Sequence, residues 1–145
     1  MHSKPWDVIP RITEFQMLNK FFMPFSNSNL LRVMIQMHDW ELRHLPELQT
    51  VTGRELYFRI SEEYLKDPQS PQLLKLLQVR STERAIRQRV RQFEEMGLID
   101  VSNNTKDKRT KRVVPTEFFL LRLNQHLDQL KKLCDGRFLM VDKNQ

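Results

Sequence analysis

A basic amphipathic segment that ends in Gly-Leu-Ile most constrains the fold of this chain. Within STERAIRQRVRQFEEMGLID, residues 81–100, the apolar side chains of Ile86, Val90 and Phe93 recur at intervals of four and three residues. This spacing is typical of one face of an α-helix. Gly97 then stands where a glycine commonly ends a helix. The sequence therefore predicts a helix through this segment that stops just before the glycine.

A β-hairpin is expected to follow this helix. Residues 98–101, LIDV, have the apolar content of a short strand, and residues 112–114, RVV, can pair with them in antiparallel fashion. Pro115 ends the second strand because proline cannot donate a hydrogen bond to a ladder. The loop NNTKDKRTK at 103–111 joins the strands. The stretch 98–114 is therefore predicted to form a basic β-wing.

The remainder of the chain shows apolar stripes at helical spacing, interrupted by prolines. They predict further helices over 11–22, 30–42, 53–67, 71–78 and 117–134. The expected N-caps are the SNSN stretch at 26–29, Thr52, Ser81 and Thr116. The predicted fold class is mainly α with a small β-wing.

The short helix at 71–78 and the basic helix are predicted to form a helix-turn-helix. Six apolar side chains are expected to be buried where the two helices cross: Leu73, Leu76, Leu77, Ile86, Val90 and Phe93. The opposite face of the basic helix then carries Arg84, Gln88 and Arg91 and remains exposed.

The positive charge of the chain is concentrated in this region. Residues 80–112 contain ten Lys and Arg against five Asp and Glu, so they hold +5 of the formal net charge of +6. A localised cationic surface is typical of a protein that binds a polyanion. A solvated helix face without a ligand is the alternative explanation for such a charge cluster.

An exposed helix of this kind fits the major groove of B-DNA. Arginine suits the O6 and N7 atoms of guanine, and glutamine suits the N6 and N7 atoms of adenine. Four residues are therefore predicted to read bases: Arg84, Arg87, Gln88 and Arg91. Six more are predicted to hold phosphates: Ser81, Thr82, Lys106, Lys108, Lys111 and Arg112.

From about residue 52 to residue 134 the chain resembles the MarR family of bacterial transcription regulators. That family ends its recognition helix with Leu-Glu-x-x-Gly-Leu-Ile, where this chain has FEEMGLI at 93–99, and carries Asp-x-Arg in its wing, where this chain has DKR at 107–109. The resemblance implies a winged helix-turn-helix, with the recognition helix 81–96 in the major groove and the wing 98–114 over the minor groove. It also implies that Arg109 enters the minor groove and that Asp107 orients it.

Members of this family are homodimers joined by helices from both chain ends, so the resemblance implies the same here. The expected organisation is N-terminal helices over 1–50 that support dimerisation, the winged helix-turn-helix over 51–115, and a C-terminal dimerisation helix and tail over 116–145. The last helix has apolar residues at alternating steps of three and four, the spacing of a coiled-coil seam. The predicted dimerisation residues are Leu120, Leu123, Leu127 and Leu130, and Cys134 continues the seam.

The expected function is a sequence-specific regulator of transcription, acting as a repressor on double-stranded DNA. Two alternatives remain open: a plasmid or phage replication or partition protein, and a winged helix that docks an acidic protein partner. Nothing in the sequence marks a pocket for a small-molecule effector.

Several other classes are not expected. The chain has no nucleophile elbow, phosphate loop or paired-carboxylate motif, so an enzyme is not predicted. Its four histidines do not form a spaced metal set, and no cofactor is predicted. Cys134 is the single cysteine, which excludes an internal disulfide. No apolar run is long enough to span a membrane, and a cytoplasmic, nucleoid-associated protein is expected.

Overall fold

A computed structural model describes residues 26–69, 72–103 and 110–143, with side chains up to residue 135. Its elements are α1 (Asn27–His44), a 3₁₀ turn (Pro46–Leu48), α2 (Val51–Lys66), β1 (Gln72–Leu73), a second 3₁₀ turn (Leu74–Leu77), α3 (Glu83–Glu95), β2 (Ile99–Asn103), β3 (Lys111–Pro115) and α4 (Glu117–Lys143). The predicted class, mainly α with a small β-wing, is confirmed. The helix predicted at 11–22 lies outside the described residues. Within those residues no helix is both long and apolar enough to cross a membrane.

Contacts within the chain divide it into two compact units. The larger comprises residues 37–129 and contains the sheet and the buried core. The smaller comprises residues 1–36 and 130–145, of which the structure describes the first part of α1 and the last part of α4. The predicted segment 51–115 is thus one part of the larger unit.

The core of the larger unit is built from α2, α3, the sheet and the start of α4. Its bulkiest fully buried side chains are those of Tyr57, Phe93 and Phe119. The other core residues are Leu45, Leu48, Leu56, Ile60, Leu77, Val90, Leu98, Ile99, Val113 and Leu123. Burying one such side chain stabilises the fold by about 1.5–3 kcal/mol relative to leaving it in water. Packing of this core therefore fixes α3 against the rest of the unit.

The sheet has three antiparallel strands in the order β1-β3-β2. β2 pairs with β3 in the register Ile99↔Pro115 to Asn103↔Lys111, so the predicted hairpin is confirmed. Val113 of β3 is fully buried and lies between Val101 of β2 and Gln72 of β1.

The helix predicted over 71–78 is wrong. Gln72 and Leu73 form β1, because their backbone pairs with β3 opposite Val113 and Arg112. Only a 3₁₀ turn follows, and Gln78, with φ of +56°, ends it.

The burial expected for that helix is partly wrong as well. Leu77 is 3% exposed, as predicted, but Leu76 is 65% exposed. A 3₁₀ turn places one residue in three on a given face, so these neighbours cannot both face the core.

Two of the predicted N-caps are confirmed. The Ser26 hydroxyl accepts a hydrogen bond from the backbone N–H of Asn29 at 3.1 Å, so SNSN caps α1. The Thr116 hydroxyl accepts from the N–H of Phe119 at 3.3 Å and also donates to the carbonyl of Gly97 at 2.6 Å. Thr116 thereby caps α4 and ties it to the end of α3.

The other two N-caps are wrong by one or two residues. Thr50 rather than Thr52 caps α2, and Thr82 rather than Ser81 caps α3. In each case the true cap is a nearby threonine, whose hydroxyl can also accept the capping hydrogen bond. Thr52 and Ser81, the residues predicted as caps, bind each other instead: their hydroxyls are hydrogen-bonded at 2.7 Å.

The C-terminus of α3 forms a Schellman motif. The N–H of Leu98 donates to the Phe93 carbonyl at 2.9 Å, and the N–H of Gly97 donates to the Glu94 carbonyl at 3.0 Å. Gly97 has φ of +76°, a conformation that glycine adopts without the steric cost of a Cβ atom. Leu98 and Phe93 are both fully buried, which supplies the apolar contact that accompanies this motif. The predicted stop of the helix at Gly97 is confirmed.

A buried ion pair connects α4 to the residues around the first 3₁₀ turn. The Arg122 guanidinium donates twice to the Glu47 carboxylate, at 2.7 Å for each bond, and once to the His44 carbonyl at 2.9 Å. The Glu47 side chain is fully buried, so this pair is needed to compensate its charge.

Candidate nucleic-acid interface

Helix α3 presents two chemically different faces. Val90 and Phe93 are buried, and Ile86 packs partly against the same core. The residues predicted to read bases are all exposed: Arg84, Arg87, Gln88 and Arg91. Because the helix is anchored on its apolar side, its cationic side faces solvent without further rearrangement.

Three of these exposed side chains are free to bind a ligand. Arg84, Gln88 and Arg91 make no hydrogen bond or ion pair with the part of the chain that the structure describes. Arg87 lies 3.9 Å from Glu83 in an exposed i,i+4 pair. Such surface pairs contribute little, about 0–1 kcal/mol, so a phosphate or base can displace Glu83.

The N-terminus of α3 is the end predicted to approach DNA. Thr82 is exposed and its hydroxyl accepts from the N–H of Ala85 at 3.2 Å, so Thr82 acts there as a cap. Ser81 is half-buried, and its hydroxyl is engaged with Thr52. Ser81 can donate to a phosphate only in the arrangement in which Thr52 donates to Ser81.

The wing supplies the second predicted contact surface. Lys111 is exposed at the start of β3. Arg112 is half-buried between Leu73 and Ser102 on the flanking strands, and its Nε atom is buried without a hydrogen-bond partner. Lys106, Asp107, Lys108 and Arg109 lie outside the described residues, so their roles stay predictions.

The leucines predicted for dimerisation fall into two groups. Leu123 is 5% exposed and belongs to the core of its own chain, and Leu120 and Leu127 pack partly against that core. Leu130 is 39% exposed. The stripe on α4 is therefore used mainly inside the chain, and only Leu130 of the four has a large exposed surface to offer a second copy. Dimerisation through these leucines stays a prediction.

Sequence reasoning did not identify the contacts that hold the entry to α3. Besides the bond between Thr52 and Ser81, the Arg80 Nε atom donates to Glu55 Oε1 at 3.3 Å. These partners are 25 and 29 residues apart, and no local pattern relates them.

Sequence reasoning also missed a polar cluster in which the buried side chains of Glu41, Tyr57 and His126 meet the partly exposed Arg54. Arg54 donates both of its Nη atoms to the Glu41 carboxylate, and His126 lies between Glu41 at 3.3 Å and the Tyr57 hydroxyl at 3.0 Å. Burial by itself would raise the pKa of Glu41, but the hydrogen bonds and charge of Arg54, together with His126, hold it below its usual value.

Within the described residues, no group of three or more His, Cys, Asp or Glu could hold a metal ion. An open cavity of about 290 Å³ lies between the end of α1 and the start of α2, and its polar lining includes Glu41 and Arg54. These two side chains already bind each other, so neither of their charges is left unpaired for a ligand.

Comparison with solved structures identifies regulators of the MarR family as structural neighbours. Heme-free PefR matches with a TM-score of 0.51 and 18% identity over 76% of this chain and 97% of that chain. A mutant of MepR from S. aureus matches with a TM-score of 0.51 and 16% identity, over 83% and 85% of the two chains. Overoxidized AbfR bound to DNA matches with a TM-score of 0.51 and 13% identity, over 92% and 95%.

No protein-family model and no curated protein sequence matches the chain. At such low identities the structural similarity shows the fold. The chain has the winged-helix fold of MarR-family regulators, as its sequence predicts.

Proposed function

We propose that this protein is a transcription regulator that binds double-stranded DNA sequence-specifically as a homodimer and acts as a repressor. In each protomer the recognition helix, residues 81–96, enters a major groove, and the wing, residues 98–114, lies over the neighbouring minor groove. The operator then contains two similar half-sites about one helical turn apart, or ~10 bp. A dimer bound across such a site excludes other proteins from that DNA, which is the simplest route to repression.

One observation carries the proposal. Arg84, Gln88 and Arg91 stand exposed and unpaired with any described residue, on a helix whose other side is fixed in the core. Arginine and glutamine are the side chains that form bidentate contacts with guanine and adenine edges. Because these groups are exposed on an anchored helix and bind no other described residue, they are available for such contacts.

The structural neighbours give independent support. AbfR was solved bound to DNA, and its fold matches 92% of this chain. The local excess of positive charge between residues 80 and 112 fits a partner that is a polyanion. The role of the wing tip, with Arg109 as its minor-groove contact, is proposed from the sequence alone.

The homodimer is proposed from the sequence and from apolar surface. The first half of α1 exposes Leu31, Met34 and Ile35 at 58%, 68% and 51%, and α4 exposes Leu130 at 39%. Contiguous exposed apolar side chains commonly mark an association surface. A second copy of the chain is the partner that the symmetric operator requires.

Retention of random genomic DNA fragments at two salt concentrations tests the proposal. The protein is expected to retain fragments at about 50 mM salt and to release most of them at about 200 mM. A dimer that neutralises about six phosphates loses about a thousandfold in affinity over this range, because counterions are no longer released so favourably. Footprints on the retained fragments should share one two-part motif.

A different result would identify another function. If no fragment is retained even at the lower salt, the cationic face does not bind DNA and the proposal is overturned in favour of an acidic protein partner. If retained fragments cluster at replication origins instead of promoters, the regulator assignment is wrong, although DNA binding stands.

A further inference from the structure

Arg80 and Ser81, the two residues before the N-cap of α3, are held on the first turns of α2. The Thr52 hydroxyl binds the Ser81 hydroxyl at 2.7 Å, and Glu55 Oε1 accepts from Arg80 Nε at 3.3 Å. Thr52 and Glu55 are three residues apart, so they lie on the same side of α2. Arg80 and Ser81 are thus fixed at the end of α3 that approaches the DNA in a winged helix.

The two members of the Glu55–Arg80 ion pair differ in accessibility. The Glu55 side chain is 15% exposed, whereas the Arg80 side chain is 85% exposed. The pKa of Glu55 is lowered below its ordinary value. The main cause is a hydrogen bond from the Arg80 backbone N–H, and the hydrogen bond and charge of the Arg80 guanidinium add to it. Glu55 is therefore anionic at neutral pH, and the exposed Arg80 guanidinium stands beside this largely buried negative charge.

We propose that Glu55 is a specificity-determining residue that withholds Arg80 from the DNA backbone. A phosphate that approached Arg80 would compete with a fixed carboxylate and would also be repelled by it. A phosphate contact from Arg80 would strengthen binding to every sequence equally, because the backbone carries no direct sequence information. By suppressing that contact, Glu55 lowers affinity for random DNA and leaves discrimination to the exposed face of α3. This inference rests on the proposed DNA binding.

Salt titrations of Glu55→Gln test the inference. Glutamine keeps the size of the side chain and an oxygen that can accept from the Arg80 backbone N–H, but it removes the negative charge. The slope of log K against log salt on a random-sequence duplex should steepen by about 0.9 per protomer, the effect of one added phosphate contact. For a dimer that gains one such contact in each protomer, affinity then falls about twelvefold further between 50 and 200 mM salt than it does for the wild type.

Two additional variants separate this role from a general charge effect. Glu63→Gln removes the same charge from the same helix, while Lys66 keeps Glu62 as its partner at 3.5 Å. Its salt slope should equal that of the wild type. The double variant Glu55→Gln/Arg80→Ala should have the slope of Arg80→Ala alone, because the released guanidinium is missing. Melting curves of all variants verify that they are folded.

The outcomes distinguish the two levels of the argument. If the wild type binds DNA but Glu55→Gln has the slope of Glu63→Gln, the inference on Glu55 is overturned and the proposed function stands. If Glu55→Gln/Arg80→Ala has a steeper slope than Arg80→Ala, loss of the negative charge acts without Arg80, and the assignment to Arg80 is wrong. If the wild type binds no DNA at low salt, both the proposed function and the inference fail.

Discussion

At the scale of single residues, His126 joins two helices through both nitrogens of its ring. Its Nδ1 atom lies 3.0 Å from the Tyr57 hydroxyl, and its Nε2 atom lies 3.3 Å from Glu41. A carboxylate can only accept, so Nε2 donates to Glu41, and a neutral ring then accepts the Tyr57 hydroxyl hydrogen at Nδ1. The neutral ring satisfies all three groups, and a second ring proton would leave the buried Tyr57 hydroxyl without its acceptor.

Stability is expected to depend on pH through this histidine. Burial lowers the pKa of His126 below its ordinary value of 6.5, although the charge of Glu41 opposes the shift. As the pH falls, the unfolded chain therefore takes up the proton first. The stabilisation is fully present above about pH 6.5 and is lost below it, with a slope of up to about 1.4 kcal/mol per pH unit for one proton. Urea unfolding at several values between about pH 7.5 and pH 5.5, one unit on each side of the ordinary histidine pKa, measures this slope.

Two substitutions make the assignment specific. His126→Gln keeps polar atoms in the site but cannot titrate, so it should abolish the slope in this window. His38→Gln removes an exposed histidine and should leave the slope unchanged. An unchanged slope in His126→Gln would contradict the account. Glu41, whose folded pKa is lowered below 4.5, contributes its own loss of stability only at more acidic pH.

At the scale of elements, the two described glycines of the larger unit serve different physical purposes. Gly97 has φ of +76° and open space where a Cβ atom would stand. Gly53 in the first turn of α2 has no such backbone demand, but a Cβ there would lie 2.5 Å from the Glu47 carbonyl oxygen and 2.7 Å from the Thr50 hydroxyl that caps the helix.

Alanine at these two positions should therefore destabilise the protein by different routes. Gly97→Ala is expected to cost about 1–2 kcal/mol, from the left-handed backbone alone. Gly53→Ala should cost more, because relief of the contact must shift the 3₁₀ turn or break the Thr50 cap, and a lost cap by itself costs about 1 kcal/mol. Chemical unfolding gives both values. Equal stability of wild type and Gly97→Ala would show that the Schellman motif is not under strain in the variant.

The elements also show which parts of the fold can be predicted from sequence. The recognition helix, its stop at Gly97 and the β2–β3 hairpin follow from local signals: period, glycine and proline. β1 does not, because Gln72 and Leu73 become a strand only by pairing with β3, about 40 residues later. The local apolar run there predicts a helix equally well.

The candidate site also combines features that the sequence predicts with contacts that it does not. The exposed face of α3 follows from helical geometry, and all four predicted base-reading residues are exposed. The contacts of Thr52 with Ser81 and of Glu55 with Arg80 cannot be predicted from sequence. The partners are 29 and 25 residues apart, and tertiary packing alone brings them together. The stripe of leucines on α4 is ambiguous from sequence, because a dimer seam and a core-facing stripe share one spacing.

At the scale of the whole molecule, the proposed function requires two copies of the recognition helix. The exposed apolar side chains of the first half of α1 make that segment the proposed contact. Met34→Lys, at a residue 68% exposed, should shift the protein towards monomer because it places a charge in the proposed interface. Sedimentation equilibrium measures the shift. Leu65→Lys, at a residue 62% exposed on α2, is the matched control and should remain dimeric. If Met34→Lys and Leu65→Lys show the same proportions of monomer and dimer, this interface is contradicted.

The central claim is that the exposed face of α3 reads DNA sequence. Selection from a random DNA pool by the wild type, Arg84→Ala, Arg91→Ala and Arg43→Ala tests it most directly; Arg43 is an exposed arginine at the end of α1. The wild type and Arg43→Ala should enrich one motif with half-sites ~10 bp apart. Arg84→Ala and Arg91→Ala should each lose preference at one position per half-site and about 1–3 kcal/mol of affinity for the wild-type motif. If all four proteins instead enrich the same motif equally strongly, α3 does not read the sequence and the account is wrong.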